Sequence, residues 1–457
     1  MFILQVHLDK KGIYCYPIFS RSKDERKKAV SPGKYVPLVI GALLLAAMLL
    51  VQFSRNADPA SLGKPDGKSN VQPVEGEPEV DQLTEIHVNV SLPADQFHQL
   101  VQANQNFMMK YSYIQVLLTN EASASKAYEL WTRQSQQGIA ADVMLLDNGF
   151  VKPFAVHGFL QSADSLITGD SLSDHMPGLL DPLKWNGYLW GMPRDVNPYI
   201  VVWNGSLLKK AGLQDPPTDW SAYQAAAAKA IEIDPGTRIL NWSIGDLKQQ
   251  LGWLAAFQSE HSNLINMRHF NEIQMEQLRW LQTMENHISL IKTEAADELN
   301  EAFLENKLLA AVLPWNTYEK LSESVRKELI VDRDHIYYPW LNGRSYVISS
   351  NSKAEEEAML WIGEMTDVHH QQLNYERFGQ LPVSASLYTS NSSMDVEQDQ
   401  IPPAWWRKLL EPNQPDDQLP LPDPLWAEKW QYREEQWQLY SKEGFELGAY
   451  IEALHAG

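Results

Sequence analysis

The chain has 457 residues and a formal net charge of −20, with 44% hydrophobic and 21% charged residues, proportions ordinary for a folded soluble protein. Cys15 is its one cysteine, which excludes a disulfide scaffold and a Cys/His zinc cluster. The acidity argues against nucleic acid as a partner, because phosphate binding needs a basic surface, and a length beyond ~300 residues implies two lobes or domains.

The charge is unevenly spread. Residues 1–34 carry eight Lys/Arg against three Asp/Glu, a net +5, and the rest of the chain carries −25. Between them lies VPLVIGALLLAAMLLVQF, residues 36–53, without a charge. As a helix these 18 residues would span roughly 27 Å, near the thickness of a hydrocarbon core. The basic residues before the run predict a cytosolic N-terminus and an extracellular body, held by a single-pass anchor at 35–53. A cleaved signal sequence is the alternative, although SRNADPASLG offers no clean small-x-small cleavage site. Residues 54–83 then read as a flexible linker rich in Pro, Gly, Ser and acidic residues.

Ordered elements are predicted from Thr84 onward. EIHVNVSL alternates as a strand, and DQFHQLVQANQNFMMKY has helical spacing through Phe97, Leu100, Val101, Phe107 and Met108. YIQVLLT is a second strand, and ASKAYELWTRQSQQG is a helix stopped by Gly138. ADVMLLDN is a third strand, ending at Asp147 and Asn148. Strand–helix–strand–helix–strand implies βαβ units and a parallel α/β sheet. Ligands of such sheets bind at the carboxyl ends of strands, which makes Asp147 and Asn148 ligand candidates by position; capping the next helix is their structural alternative.

In WNGYLWGMPRDVNPYIVVWNGSLLKKAGL, residues 185–213, Asn186-Gly187 signals a hairpin turn between short aromatic strands, with Tyr188 and Trp190 in its core. The polar cluster Arg194, Asp195 and Asn197 precedes Pro198 and the strand YIVVWN. Thr218 is the expected N-cap of DWSAYQAAAAKAIE, and Asp234-Pro235-Gly236 its stop.

Four segments, 141–166, 185–213, ELNEAFLENKLLAAVLPW at 298–315, and 342–388 beginning NGRSYVISSNSK, occur in an order similar to that of a known family. The chain resembles the extracellular solute-binding proteins of bacterial ABC importers, of the family 1, maltose-binding-like type. The resemblance implies an α/β, bilobal periplasmic-binding-protein-like clamp, here preceded by one transmembrane helix. Lobe 1 would comprise 84–198 plus 344–385, and lobe 2 would comprise 199–343 plus 386–457. The ligand would lie between lobes that close by hinge motion. It further implies a small-molecule solute such as a sugar or oligosaccharide, ABC permease subunits as partners, and no cofactor or metal. A sensor or adaptor on the same fold, signalling through a membrane partner, is the alternative function.

Sugar recognition needs aromatic rings against the apolar face of a pyranose and planar polar groups on its hydroxyls. At the positions the resemblance implies, Trp315 follows the strand LLAAVL, and it is either a stacking platform or a core or hinge aromatic. Arg194 and Asp195, adjacent in extended chain, face opposite sides, so one can meet ligand while the other pairs internally. Asn197, Tyr346 and Trp253 complete the ligand-binding candidates. Trp426, Trp430 and Trp437 recur at helical spacing and are expected to pack onto a lobe. The chain has no GxSxG, P-loop, HExxH or GxGxxG sequence, and it is not expected to be an enzyme.

Overall fold

The computed structural model describes residues 7–9, 12–14, 83–166, 174–257, 270–336, 340–389, 401–410, 421–442 and 446–456. The chain divides into two compact units, Met1–Glu79 and Val80–Gly457. In the first, β1 (His7–Asp9) and β2 (Gly12–Tyr14) form an antiparallel pair. The apolar run 36–53 and the linker lie outside the described residues. Among the described residues no helix is long and apolar enough to cross a membrane.

The second unit is a two-lobed α/β fold built on two five-stranded sheets. The first sheet contains β3 (Thr84–Val90), β4 (Ile114–Asn120), β5 (Val143–Asp147), β8 (Met192–Asp195) and β14 (Arg344–Ile348), in the order β4-β3-β5-β14-β8. β3 pairs in parallel with β4 and β5, linked by the helices Ala94–Lys110 and Ala124–Gln137. β14 pairs antiparallel with both β5 and β8. Alternation along β5 explains its continuous apolar run: Val143 and Leu145 enter the core on one face of the sheet, Met144 and Leu146 that on the other. Gly138 closes the second helix at φ 71°, a left-handed conformation that glycine adopts without steric cost.

The hairpin forms as the Asn-Gly signal predicts. Its strands are β6 (Lys184–Trp185) and β7 (Tyr188–Leu189), and Asn186 and Gly187 turn at φ 51° and 82°. The Tyr188 and Trp190 rings meet edge-on at 6.3 Å, but Tyr188 is exposed rather than in a core.

The second sheet contains β9 (Tyr199–Asn204), β10 (Leu240–Asn241), β11 (Ile288–Ser289), β12 (Ala310–Pro314) and β13 (Leu329–Asp332), in the order β11-β10-β12-β9-β13. The chain passes from the first sheet to the second between Asp195 and Tyr199 and returns between Asp332 and Arg344. The helix Trp220–Ile233 packs on the second sheet and is capped by Asp219, not Thr218. The Asp219 carboxylate accepts from the Ala222 amide at 2.9 Å, and as an anion at a helix N-terminus it outbids a hydroxyl one residue earlier.

The C-terminal helices Ala404–Leu410, Trp426–Lys442 and Leu447–Ala456 cover the structure with aromatic side chains. The helix Trp426–Lys442 touches both lobes. Trp426 lies over Gly149 of the helix Asn148–Val156, on the first lobe, and meets the Trp340 ring at 5.6 Å. Trp437 packs edge-on against Trp242 of the second lobe at 5.8 Å.

Candidate functional site

A cavity of about 280 Å³ lies between the lobes, beyond the carboxyl ends of β3 and β5. That is the crevice where open α/β sheets bind ligands. The first lobe contributes Ser91, Tyr128, Asp147, Phe150 and Arg344, and the second contributes Lys248. Trp430 and Glu434 reach in from the helix Trp426–Lys442. A larger depression of about 650 Å³ runs along β13 and the loop 215–218. It belongs to one lobe and lies beside an edge strand, so the interlobe cavity is the better-built site.

Aromatic rings line one side of the cavity. Tyr128 and Phe150 lie 4.2 Å apart with their planes 31° from parallel, and burial pushes the Tyr128 hydroxyl up to about 12, so it stays protonated. Asp147, at the carboxyl end of β5, faces the Lys248 ammonium at 3.5 Å. Lys248 also donates to Asn342 Oδ1 at 2.6 Å, and Asn342 in turn donates to the Asn197 carbonyl at 2.9 Å. Asn342 holds φ 71°, a region that asparagine tolerates better than other side-chain-bearing residues.

Arg344 lines the cavity, but its guanidinium is occupied. Nε and Nη2 bind the two oxygens of Asp195 at 3.0 and 2.8 Å, and Nη2 also reaches Gln96 at 3.0 Å. The Glu434 side chain makes no hydrogen bond among the described residues. Burial raises its carboxyl above the usual 4.5, Lys248 opposes that rise, and Asp147 and Asp246 add to it.

The structure brings two of the sequence-predicted residues into or beside this cavity and places the others elsewhere. Asp147 is in the wall. Asn197 sits at the chain crossing beside it, accepting from the Asn316 amide at 2.9 Å. Asn148 is buried behind Asp147 as the first residue of a helix, accepting from the Ser345 hydroxyl at 2.6 Å. Arg194 and Asp195 form a buried ion pair with one another, and Asp195 is 1% exposed. Extended-chain geometry sends neighbours to opposite faces, but the long arginine side chain folds back to its neighbour's carboxylate because a buried charge needs a partner.

The three remaining aromatic candidates are core residues. Tyr346 stands edge-on to Trp361 at 5.1 Å inside the first lobe, because β14 is flanked by strands on both sides. Trp253 lies in an aromatic cluster with Trp203, Trp220, Tyr223 and Phe257. On its helix, Leu247–Ala255, Lys248 and Trp253 are five residues apart, about 140° around the axis, so one meets the cleft and the other the core. Trp315 does follow β12, but the C-terminal segment covers it: Trp406 and Trp405 meet its ring edge-on at 5.2 and 5.8 Å, and it is 2% exposed.

Sequence reading missed Tyr128, Phe150, Lys248, Arg344 and Glu434; Trp430 packs as expected, 7% exposed and 5.1 Å from the Trp426 ring, and also borders the cavity. A signal for Glu434 was present: Trp426, Trp430 and Glu434 are spaced i, i+4, i+8, so a carboxylate shares a stripe with two large rings. No comparable signal marks Lys248 or Arg344.

Comparison with known proteins places this geometry. Residues 105–403, well over half of the chain, match the family described as bacterial extracellular solute-binding protein. The chain belongs to that family. Among solved structures, this solute-binding family member shares its fold with the sugar-binding protein MalE of Xanthomonas citri, at 16% identity and a TM-score of 0.60, over 82% of this chain and 96% of the other. It resembles maltose-bound MalE3 of T. maritima at 14% identity and a TM-score of 0.59, over 82% and 98% of the two chains. A third is an ABC transporter solute binding protein of Agrobacterium vitis S4 with bound D-mannitol, at 14% identity and a TM-score of 0.60, over 82% and 97%. In sequence, a binding protein of Brucella abortus (strain 2308) is 24% identical over 98 residues, which is 21% of this chain and 24% of the Brucella protein. The family and these neighbours are binding proteins, and among the described residues no group of three or more His, Cys, Asp or Glu side chains is placed to hold a metal ion.

Proposed function

We propose that the chain captures a small polar solute, a carbohydrate or a compound of similar chemistry, in the interlobe cavity and delivers it to the permease subunits of an ABC importer. One observation carries this reading: the cavity is walled by both lobes at strand carboxyl ends, with aromatic rings beside hydrogen-bonding groups. A ligand there touches both lobes at once, so its binding energy favours whichever interlobe angle brings the walls together. The solutes bound by proteins of the same fold, maltose and D-mannitol among them, support the choice of a polyhydroxylated ligand. In this reading the run 36–53 anchors the protein in the membrane and leaves the two-lobed unit outside the cell.

The test is a thermal-shift and calorimetric screen of the purified protein against mono- and disaccharides and polyols. A bound solute raises the melting temperature with its concentration, by RT ln(1 + [L]/Kd) in free energy. Loss of that shift in Phe150→Ala, with folding retained, is the result expected for a solute in the cavity. If no solute shifts the melt, capture is abandoned in favour of a sensor or adaptor role.

A further inference from the structure

The cavity wall has an unbalanced polar inventory. Both of its cations are committed to the protein's own groups. Lys248 is held by Asp147 and Asn342, and Arg344 is held by Asp195 and Gln96. Drawing Lys248 away would cost Asp147 its cation, and drawing Arg344 away would break a bidentate pair and leave the buried Asp195 to Arg194 alone. An incoming anion therefore finds no cation at liberty. It does meet Glu434, a half-buried carboxylate without a hydrogen-bond partner among the described residues. Glu434 is supplied by the second lobe's C-terminal helix, and Trp430, one turn earlier, presents a ring from the same stripe. A carboxylate accepts hydrogen bonds only, so it asks the ligand for a donor and penalises negative charge. The volume, about 280 Å³, lies just below the ~300–1,000 Å³ typical of small-molecule sites.

We propose that Glu434 sets the charge class of the ligand: the cavity takes a hydroxyl-bearing solute about one sugar ring in size, without negative charge, and rejects its acidic counterpart. The inference rests on the reading of the cavity as a capture site and adds to it a residue, a charge rule and a size. Glu434 is here a specificity-determining residue, and the readout that tests it is discrimination between neutral and acidic ligands, which a change in stability alone does not move.

The test compares sugars that differ only by oxidation of one hydroxymethyl group to a carboxylate, D-glucose with D-glucuronate and D-galactose with D-galacturonate, on the wild-type chain and on Glu434→Gln, by calorimetry at neutral pH. In the wild type the neutral member of a pair binds at least about tenfold tighter than the acidic one, a gap worth ~1.4 kcal/mol. In Glu434→Gln the neutral sugar still binds and the gap narrows to within about threefold. Maltose binds no tighter than the better monosaccharide. A uronate that binds as well as its neutral partner, or a gap unchanged by Glu434→Gln, overturns the charge rule and leaves the capture reading intact. Tighter binding of maltose overturns the size. Failure of every one of these sugars, neutral and acidic, to bind removes the capture reading and this inference with it.

Discussion

Arg344 and Asp195 are register partners on adjacent antiparallel strands, and the guanidinium grips the carboxylate through two parallel hydrogen bonds, 3.0 and 2.8 Å long. Asp195 ends β8 just before the chain leaves the first lobe, and Arg344 begins β14 where the chain returns. The pair therefore ties the two crossings together at the floor of the cavity. Arg194 contacts the same carboxylate, so one buried anion serves two cations. Replacing it with a neutral amide, Asp195→Asn, removes the carboxylate that pairs with both guanidiniums, leaves Arg344 with only the nearby Asp147, and costs about 3 kcal/mol, read as a lowered urea midpoint. A midpoint within experimental error of wild type would deny the pair this role.

Trp315 separates a core role from a ligand role. Its ring is enclosed by Trp405, Trp406 and Tyr318. Trp315→Ala is expected to lose about 3–5 kcal/mol of stability, as buried Trp truncations do. Phe150→Ala, at a partly exposed ring of the cavity wall, is expected to weaken solute binding and to lower the melting temperature less. Chemical unfolding of the two variants, followed by titration with the best solute of the screen, distinguishes them.

The contact between Gly149 and Trp426 sets two opposing effects against each other. Alanine is favoured over glycine in a helix by about 1 kcal/mol. A methyl group at Gly149 would overlap the Trp426 indole, and overpacking costs about 1–3 kcal/mol. The steric term wins, so Gly149→Ala lowers stability. In Gly149→Ala/Trp426→Ala the alanine no longer clashes, and a double-mutant cycle returns a favourable coupling of at least about 1 kcal/mol.

His335 gives a pH signature. Its Nδ1 lies 2.8 Å from the Asp332 carboxylate at the end of β13, and that hydrogen bond, opposed by burial, raises the imidazole above its usual 6.5. The folded state binds the proton more tightly than the unfolded state, so the stabilisation is complete below pH 6.5 and is lost as pH rises through the raised folded value. His335→Gln is expected to cost roughly 1 kcal/mol at pH 5.5 and almost nothing at pH 9, measured by urea unfolding at the two pH values.

Glu434 has the opposite sign. Its carboxyl is raised by burial, so ionisation is unfavourable in the folded state. Stability falls as pH climbs from 4.5 to the raised folded value and stays lowered above it. Glu434→Gln is therefore expected to melt higher than wild type at pH 7 and to lose that advantage below pH 4.5. A site kept at a cost to stability is expected where a residue serves binding.

The elements were legible because local rules determine them. The apolar run VMLL, the alternation of EIHVNVSL and the Asn186-Gly187 turn each specify backbone geometry over a few residues, and the structure follows them in β5, β3 and the β6–β7 hairpin. The two-lobed fold was legible from the order of four segments. The position of Asp147 was legible too, since a parallel strand's carboxyl end points to the crevice.

The sequence by itself determined the strands, the helices, the fold class and the acidic body behind a basic N-terminal stretch. Only the tertiary structure decided which aromatic rings are core and which face the cleft. Trp315 and Phe150 are both large apolar rings, and what separates them is that Trp405 and Trp406, some 90 residues downstream of Trp315, fold over its ring, while Phe150 stays partly exposed in the cavity wall. It likewise decided that Arg344 is held by Asp195 while the Glu434 side chain makes no hydrogen bond among the described residues. Pairing between distant charges depends on strand register and helix docking, which no local pattern encodes.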